Sequence, residues 1–152
     1  MRTWTSRYSN KELQNGNYYT VGISVGKPRW PLGYTVNEQC YAIAPTRNML
    51  DMPYGEYRVA YFDKLNQLGL AKVCNLIDTW NSNAFSKGKT EVVLLCYEDI
   101  RKPDDWCHRT LFAEWLYNQV KLEITELTDP SVPRFKKPEP VEDPNYKQLS
   151  LF

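Results

Sequence analysis

The chain has 152 residues, 42% of them hydrophobic and 14% aromatic, enough for one domain with a sizeable core. A formal net charge of +1 excludes a global basic signature for nucleic acid, though not a local patch. No apolar run approaches the roughly 18 residues of a membrane span, and Met1-Arg2-Thr3-Trp4-Thr5 lacks the apolar core of a signal peptide. A cytoplasmic protein with no membrane association is therefore expected.

Taken in chain order, Thr3-Trp4-Thr5 is a short β-rich start, and Tyr18–Val25 reads as a strand from its β-branched and aromatic content. Gly26–Gly33, with two prolines and two glycines, is a loop. Val59, Phe62, Leu65 and Leu68 form a helical stripe over 56–68, and Val73, Leu76, Ile77 and Trp80 form another over 71–80. Gly88 breaks the chain. Val92-Val93-Leu94-Leu95-Cys96 is a continuous apolar run suited to a strand covered on both faces. Leu111, Phe112, Trp115 and Leu116 predict a helix from about Trp106 to Gln119, and Leu122–Leu127 alternates as a closing strand. Strands alternating with helices predict an α/β fold: a compact single domain over 1–128, with a mostly parallel sheet flanked by helices. There is no internal repeat and no glycine-rich phosphate loop.

Residues 129–147 hold half of the ten prolines and charges of both signs, which predicts an extended, disordered linker. The four cysteines, Cys40, Cys74, Cys96 and Cys107, form no Cys-x-x-Cys pair, and His108 is the single histidine. Structural zinc sites use four ligands at short paired spacings. Neither a metal nor another cofactor is expected on that ground, nor a disulfide in a reducing compartment.

The densest group of reactive side chains lies between the apolar strand and the next helix: Cys96-Tyr97-Glu98, the insertion Asp99–Asp105, then Trp106-Cys107-His108-Arg109. Ligand sites in open α/β sheets form at the carboxyl ends of strands. A helix start exposes free N–H groups and a positive dipole end. Glu98, Cys107, His108 and Arg109 are the candidate catalytic residues: a thiol favoured as thiolate, an acid or base, and a bidentate anion holder. Arg109 and His108 are expected to face the ligand, with Arg109 pairing with Glu98 when the site is empty. Plainer roles stand beside these. Cys96 and Cys107 read equally as buried small hydrophobes, Glu114 can satisfy Arg109 or His108 within the fold, and Trp30, Trp106 and Trp115 suit a core.

Val-Val-Leu-Leu-Cys-Tyr-Glu followed by Cys-His-Arg-x-x-x-x-Glu-Trp-Leu resembles the signature of domain of unknown function family 488, whose pattern is Leu-x-Cys-x-Glu, a short insertion, then Cys-His-Arg opening a helix. Trp4-Thr5-Ser6-Arg7-Tyr8, Ile23-Ser24-Val25 and Pro28-Arg29-Trp30 are similar to further segments of that family. The chain departs from it at Gly26-Lys27, where many relatives carry an arginine. The resemblance spans most of residues 1–128. It implies a compact α/β fold with a pocket to which Tyr8, Arg29 and Trp30 contribute substrate contacts, and it names no reaction.

Gln148-Leu149-Ser150-Leu151-Phe152 is similar at every position to the peptide by which bacterial polymerases and repair proteins dock on the sliding clamp. A chance match at one given place is on the order of one in several hundred thousand at average composition. The resemblance implies a bacterial or bacteriophage setting, a sliding-clamp partner, and DNA reached indirectly through it. Two functions follow: a clamp-tethered hydrolase or transferase acting on nucleotide or DNA, or a non-enzymatic regulator that competes with polymerases for the clamp pocket.

Overall fold

The computed structural model describes residues 2–133, so the linker beyond 133 and the peptide 148–152 lie outside the described residues. Five strands form one all-parallel sheet: β1 (Arg2–Arg7), β2 (Tyr18–Gly22), β3 (Glu38–Gln39), β4 (Glu91–Cys96) and β5 (Thr125–Glu126), in the order β3-β2-β4-β1-β5. The α-helices are α1 (Tyr54–Leu68), α2 (Leu70–Ser86) and α3 (His108–Val120), and short 3-10 turns cover Lys11–Asn15, Tyr41–Ile43 and Arg47–Met49. Among the described residues, no helix is long and apolar enough to cross a membrane.

The apolar run is the central strand. β4 pairs with β1 from Arg2↔Glu91 to Arg7↔Cys96 and with β2 from Tyr18↔Glu91 to Gly22↔Leu95. Alternate side chains leave a strand on opposite faces. Val92 and Leu94 accordingly enter a core with α1, α2 and α3, while Val93 and Leu95 enter a second one with Tyr8, Leu13 and Leu127. Both faces of β4 are dry, which is why its sequence is continuously apolar rather than alternating.

The helices follow their stripes with one shift. Val73, Ile77, Trp80 and Ala84 are the buried face of α2, and Leu111, Phe112, Trp115 and Leu116 that of α3. In α1, Tyr57, Tyr61 and Leu65 are buried while Val59 is 71% exposed. Tyrosine brings an apolar ring that outweighs the smaller valine once its hydroxyl finds a partner. Tyr61 does so by donating to the Ile43 carbonyl at 2.7 Å. Gly69, at φ 94°, separates α1 from α2 in a conformation that favours glycine. The two-residue β3 carries no sequence signal and was not expected.

A charged cluster joins Asp129 and Ser131 to the rest of the described residues. Asp129 Oδ2 accepts from Arg7 Nε at 2.7 Å, and Arg101 Nη1 donates to the Ser131 carbonyl at 2.5 Å. Residues 129–131 are thus tied to the loop after β4. Arg101 also holds Asp99, through Nε at 2.9 Å and Nη2 at 3.0 Å. Its hydrogen bonds pull the Asp99 carboxyl from 3.8 down to about 2. A carboxyl depressed in the folded state stabilises the protein above its unfolded pKa, and the contribution is lost as pH falls through the folded one. The chain is therefore expected to lose on the order of 1 kcal/mol from this group, after allowance for solvent screening, between roughly pH 4 and 2. In urea titrations across that window, Asp99→Asn should flatten the pH profile relative to wild type; an unchanged slope would show that the cluster contributes nothing.

Candidate functional site

Topology places the site. The connection leaving β2 runs outward to β3, at one edge, whereas the connection leaving β4 runs through α3 to β5 at the other edge. Chains that diverge this way leave a crevice above the carboxyl ends of the two strands. A cavity of about 590 Å³ lies there, lined by Ser24–Gly26 and Arg29 after β2, Cys96–Glu98 after β4, and Asp104–His108 leading into α3. Arg47 and Tyr57 complete its wall.

The floor is made of three groups from two elements. Cys96 ends β4, Cys107 caps α3 in extended backbone with no side-chain cap bond, and His108 is the first helical residue. All three are buried, and their Sγ, Sγ and ring-nitrogen atoms lie within 4.8 Å of one another. His108 Nδ1 is 3.4 Å from Cys96 Sγ and 3.7 Å from Cys107 Sγ. Its Nε2–H donates to the Ile23 carbonyl at 2.6 Å, since a carbonyl can only accept. That bond orients the ring so that Nδ1 is turned to the two sulfurs. The ring stands edge-on to Tyr61, with centroids 5.5 Å apart.

Glu98 stands at the exposed mouth, with Oε1 3.7 Å from Cys96 Sγ. Loss of solvation around its carboxylate, together with the neighbouring Cys107, pushes its pKa from 4.5 up to about 7. Burial pushes the Cys96 thiol up, with Cys107 adding to it. Burial opposes ionisation of Cys107 as well. Hydrogen bonds to Cys96 and His108, and the charges of His108 and Arg109, nevertheless hold it well below the ordinary thiol range. A low thiol beside a raised thiol is the pattern of one shared negative charge.

The expected placements hold for some residues and fail for others. Glu98, Cys107 and His108 meet in the cavity, and Arg29 lines its exposed rim. Arg109 does not face it. Consecutive helical residues point about 100° apart, and with His108 turned to the cavity Arg109 is carried behind it. There it is fully buried, and Nε and Nη2 donate to Glu126 of β5 at 3.0 and 2.8 Å. Its expected partner Glu98 is replaced by Glu126. Glu114, the alternative partner, instead accepts from Arg58 of α1 at 2.7 and 2.5 Å.

Tyr8, expected to touch substrate, is fully buried under Tyr97, with centroids 4.9 Å apart, and its hydroxyl bonds Ser24 Oγ at 2.7 Å. It supports the cavity wall from behind. Trp30, 47% exposed, leans on the outer side of Tyr97 at 5.9 Å and lies outside the lining. Trp106 packs edge-on against Tyr57 and Tyr54 at 4.7 and 5.1 Å. Arg47 and Tyr57 were not read from sequence, since nothing in 47–57 other than proximity in space points to the site. The paired-spacing test for metal ligands likewise could not see Cys96 and Cys107, which stand eleven residues apart and meet only through the fold. Comparison with protein-family models, curated proteins and solved structures finds no match to this chain.

Proposed function

We propose that the protein works at a bacterial sliding clamp, docked there by Gln148–Phe152, and that its folded domain, of the family-488 kind, presents the β2/β4 cavity to a nucleotide or nucleobase ligand for hydrolysis or group transfer. The observation that carries the clamp reading is the five-residue match behind a proline-rich tether. The near-neutral charge agrees with it: a docked protein gains a high local concentration at DNA with no strong DNA affinity of its own. The chemical reading is supported by the cavity, where Glu98, Cys107 and His108 converge beside the basic rim residues Arg29 and Arg47. Arg is suited to hold a phosphate at such a rim.

The test joins the two halves. The full chain is bound to bacterial clamp on primed DNA and offered a panel of nucleotides, nucleobases and DNA ends. Turnover by wild type is expected, with loss on Glu98→Gln, a change at an exposed side chain that leaves the fold and clamp affinity intact. Clamp binding with no turnover across the panel would instead support the competing reading, a non-enzymatic regulator occupying the polymerase pocket.

A further inference from the structure

We propose that Cys96, Cys107 and His108 form a mononuclear site for zinc or a similar borderline divalent metal, with a fourth coordination position open to the β2/β4 cavity. The inference deepens the chemical half of the proposed function and is independent of clamp docking.

The geometry is that of a ligand set. Tetrahedral zinc with Zn–S about 2.3 Å and Zn–N about 2.0–2.1 Å sets sulfur and nitrogen ligands about 3.5 Å apart. Nδ1 of His108 lies 3.4 and 3.7 Å from the two sulfurs. These spacings match those of ligand atoms around a common centre.

The outer contacts point the same way. A metal-bound histidine characteristically donates its other N–H to a carbonyl or carboxylate, which fixes ring and tautomer. His108 does this through Nε2 to the Ile23 carbonyl at 2.6 Å, and Tyr61 packs edge-on against the ring. The donors select the ion: two thiolates and an imidazole suit zinc rather than magnesium or calcium, which take oxygen.

The number of donors separates a reactive site from a structural one. Structural zinc is closed by four protein ligands, whereas three protein ligands leave a position for water or substrate. Among the described residues the group holds only these three within 4.8 Å of one another. All three line the cavity, so the vacant position faces the space where a ligand enters. Glu98 falls outside the set but lies 3.7 Å from Cys96 Sγ, beside that position. With metal bound, the sulfurs and imidazole are ligands rather than nucleophile and base. The reacting species is then the oxygen or nitrogen donor that takes the fourth place.

The experiment uses the full chain, purified reduced and stripped of metal, and titrated with cobalt(II) and then zinc(II). A single equivalent of cobalt should give the visible bands of tetrahedral coordination with thiolate-to-cobalt charge transfer, and zinc should displace it. Cys96→Ser and Cys107→Ser should each weaken binding by more than about 100-fold, the upper end of what even outer-shell changes cause. Cys74→Ser, on α2 away from the cavity, should bind as wild type. Should either site variant fail to fold, wild type decides alone: zinc must protect Cys96 and Cys107, mapped by mass spectrometry, from alkylation. Absence of a tetrahedral cobalt spectrum, undiminished binding by the site variants, or alkylation unaffected by zinc would overturn the site. Clamp affinity, read in the same preparations, reports separately on the tail, so either half can fail without the other.

Discussion

Arg109→Ala should destabilise the folded domain by about 2–3 kcal/mol, on the order of what hydrogen bonds to a charged group contribute, because Glu126 is 31% exposed and its carboxylate stays partly hydrated. Arg109 is fully buried and forms a two-pronged bond to Glu126, whose Oε1 also accepts from Thr5 Oγ1 at 2.8 Å. The side chain therefore joins α3 to β1 and β5, and its loss leaves both a cavity and a carboxylate without its cation. Small domains have about 5–15 kcal/mol in total, so much of the stability goes. Arg109→Lys should recover little, because a point ammonium cannot reproduce the fork. Urea unfolding measures this directly. A change below about 0.5 kcal/mol, the range of ordinary surface substitutions, together with loss of a cavity ligand, would return Arg109 to the ligand-facing role that its sequence position suggests.

Deleting Leu151-Phe152 should weaken clamp binding by roughly 10²–10⁴-fold. Each of the two large apolar anchors is worth about 1.5–3 kcal/mol on full burial, and every 1.4 kcal/mol is tenfold in affinity. Gln148→Ala should weaken it further by removing the amide that bonds the pocket rim. The same truncation should leave the urea midpoint unchanged, since the two buried cores among the described residues are built from side chains up to Leu127. Calorimetry of the full and shortened chains against bacterial clamp provides the measurement. Equal affinities would remove the clamp reading altogether.

The sequence by itself determined the α/β class and the central strand, and it marked the segment that lines the β2/β4 cavity. Val92–Cys96 is apolar at every position, which only a strand covered on both sides requires. The stripes of α2 and α3 name their buried faces, and a polar insertion between strand and helix marks the mouth of a crevice. These are local properties, written in a period of two or 3.6 residues or in one short segment. What only the tertiary structure decided concerns direction and partnership across distance. Cys107, His108 and Arg109 are consecutive, and the angle at which α3 crosses from β4 to β5 selects which of them faces the cavity. Arg109 then meets Glu126, seventeen residues on. Cys96 meets Cys107 and His108 because the loop of 97–106 returns the chain to the strand end it left. No spacing rule encodes such encounters. They are set by how whole elements pack, and a rotation of one helical residue, about 100°, exchanges a cavity-facing side chain for a buried brace.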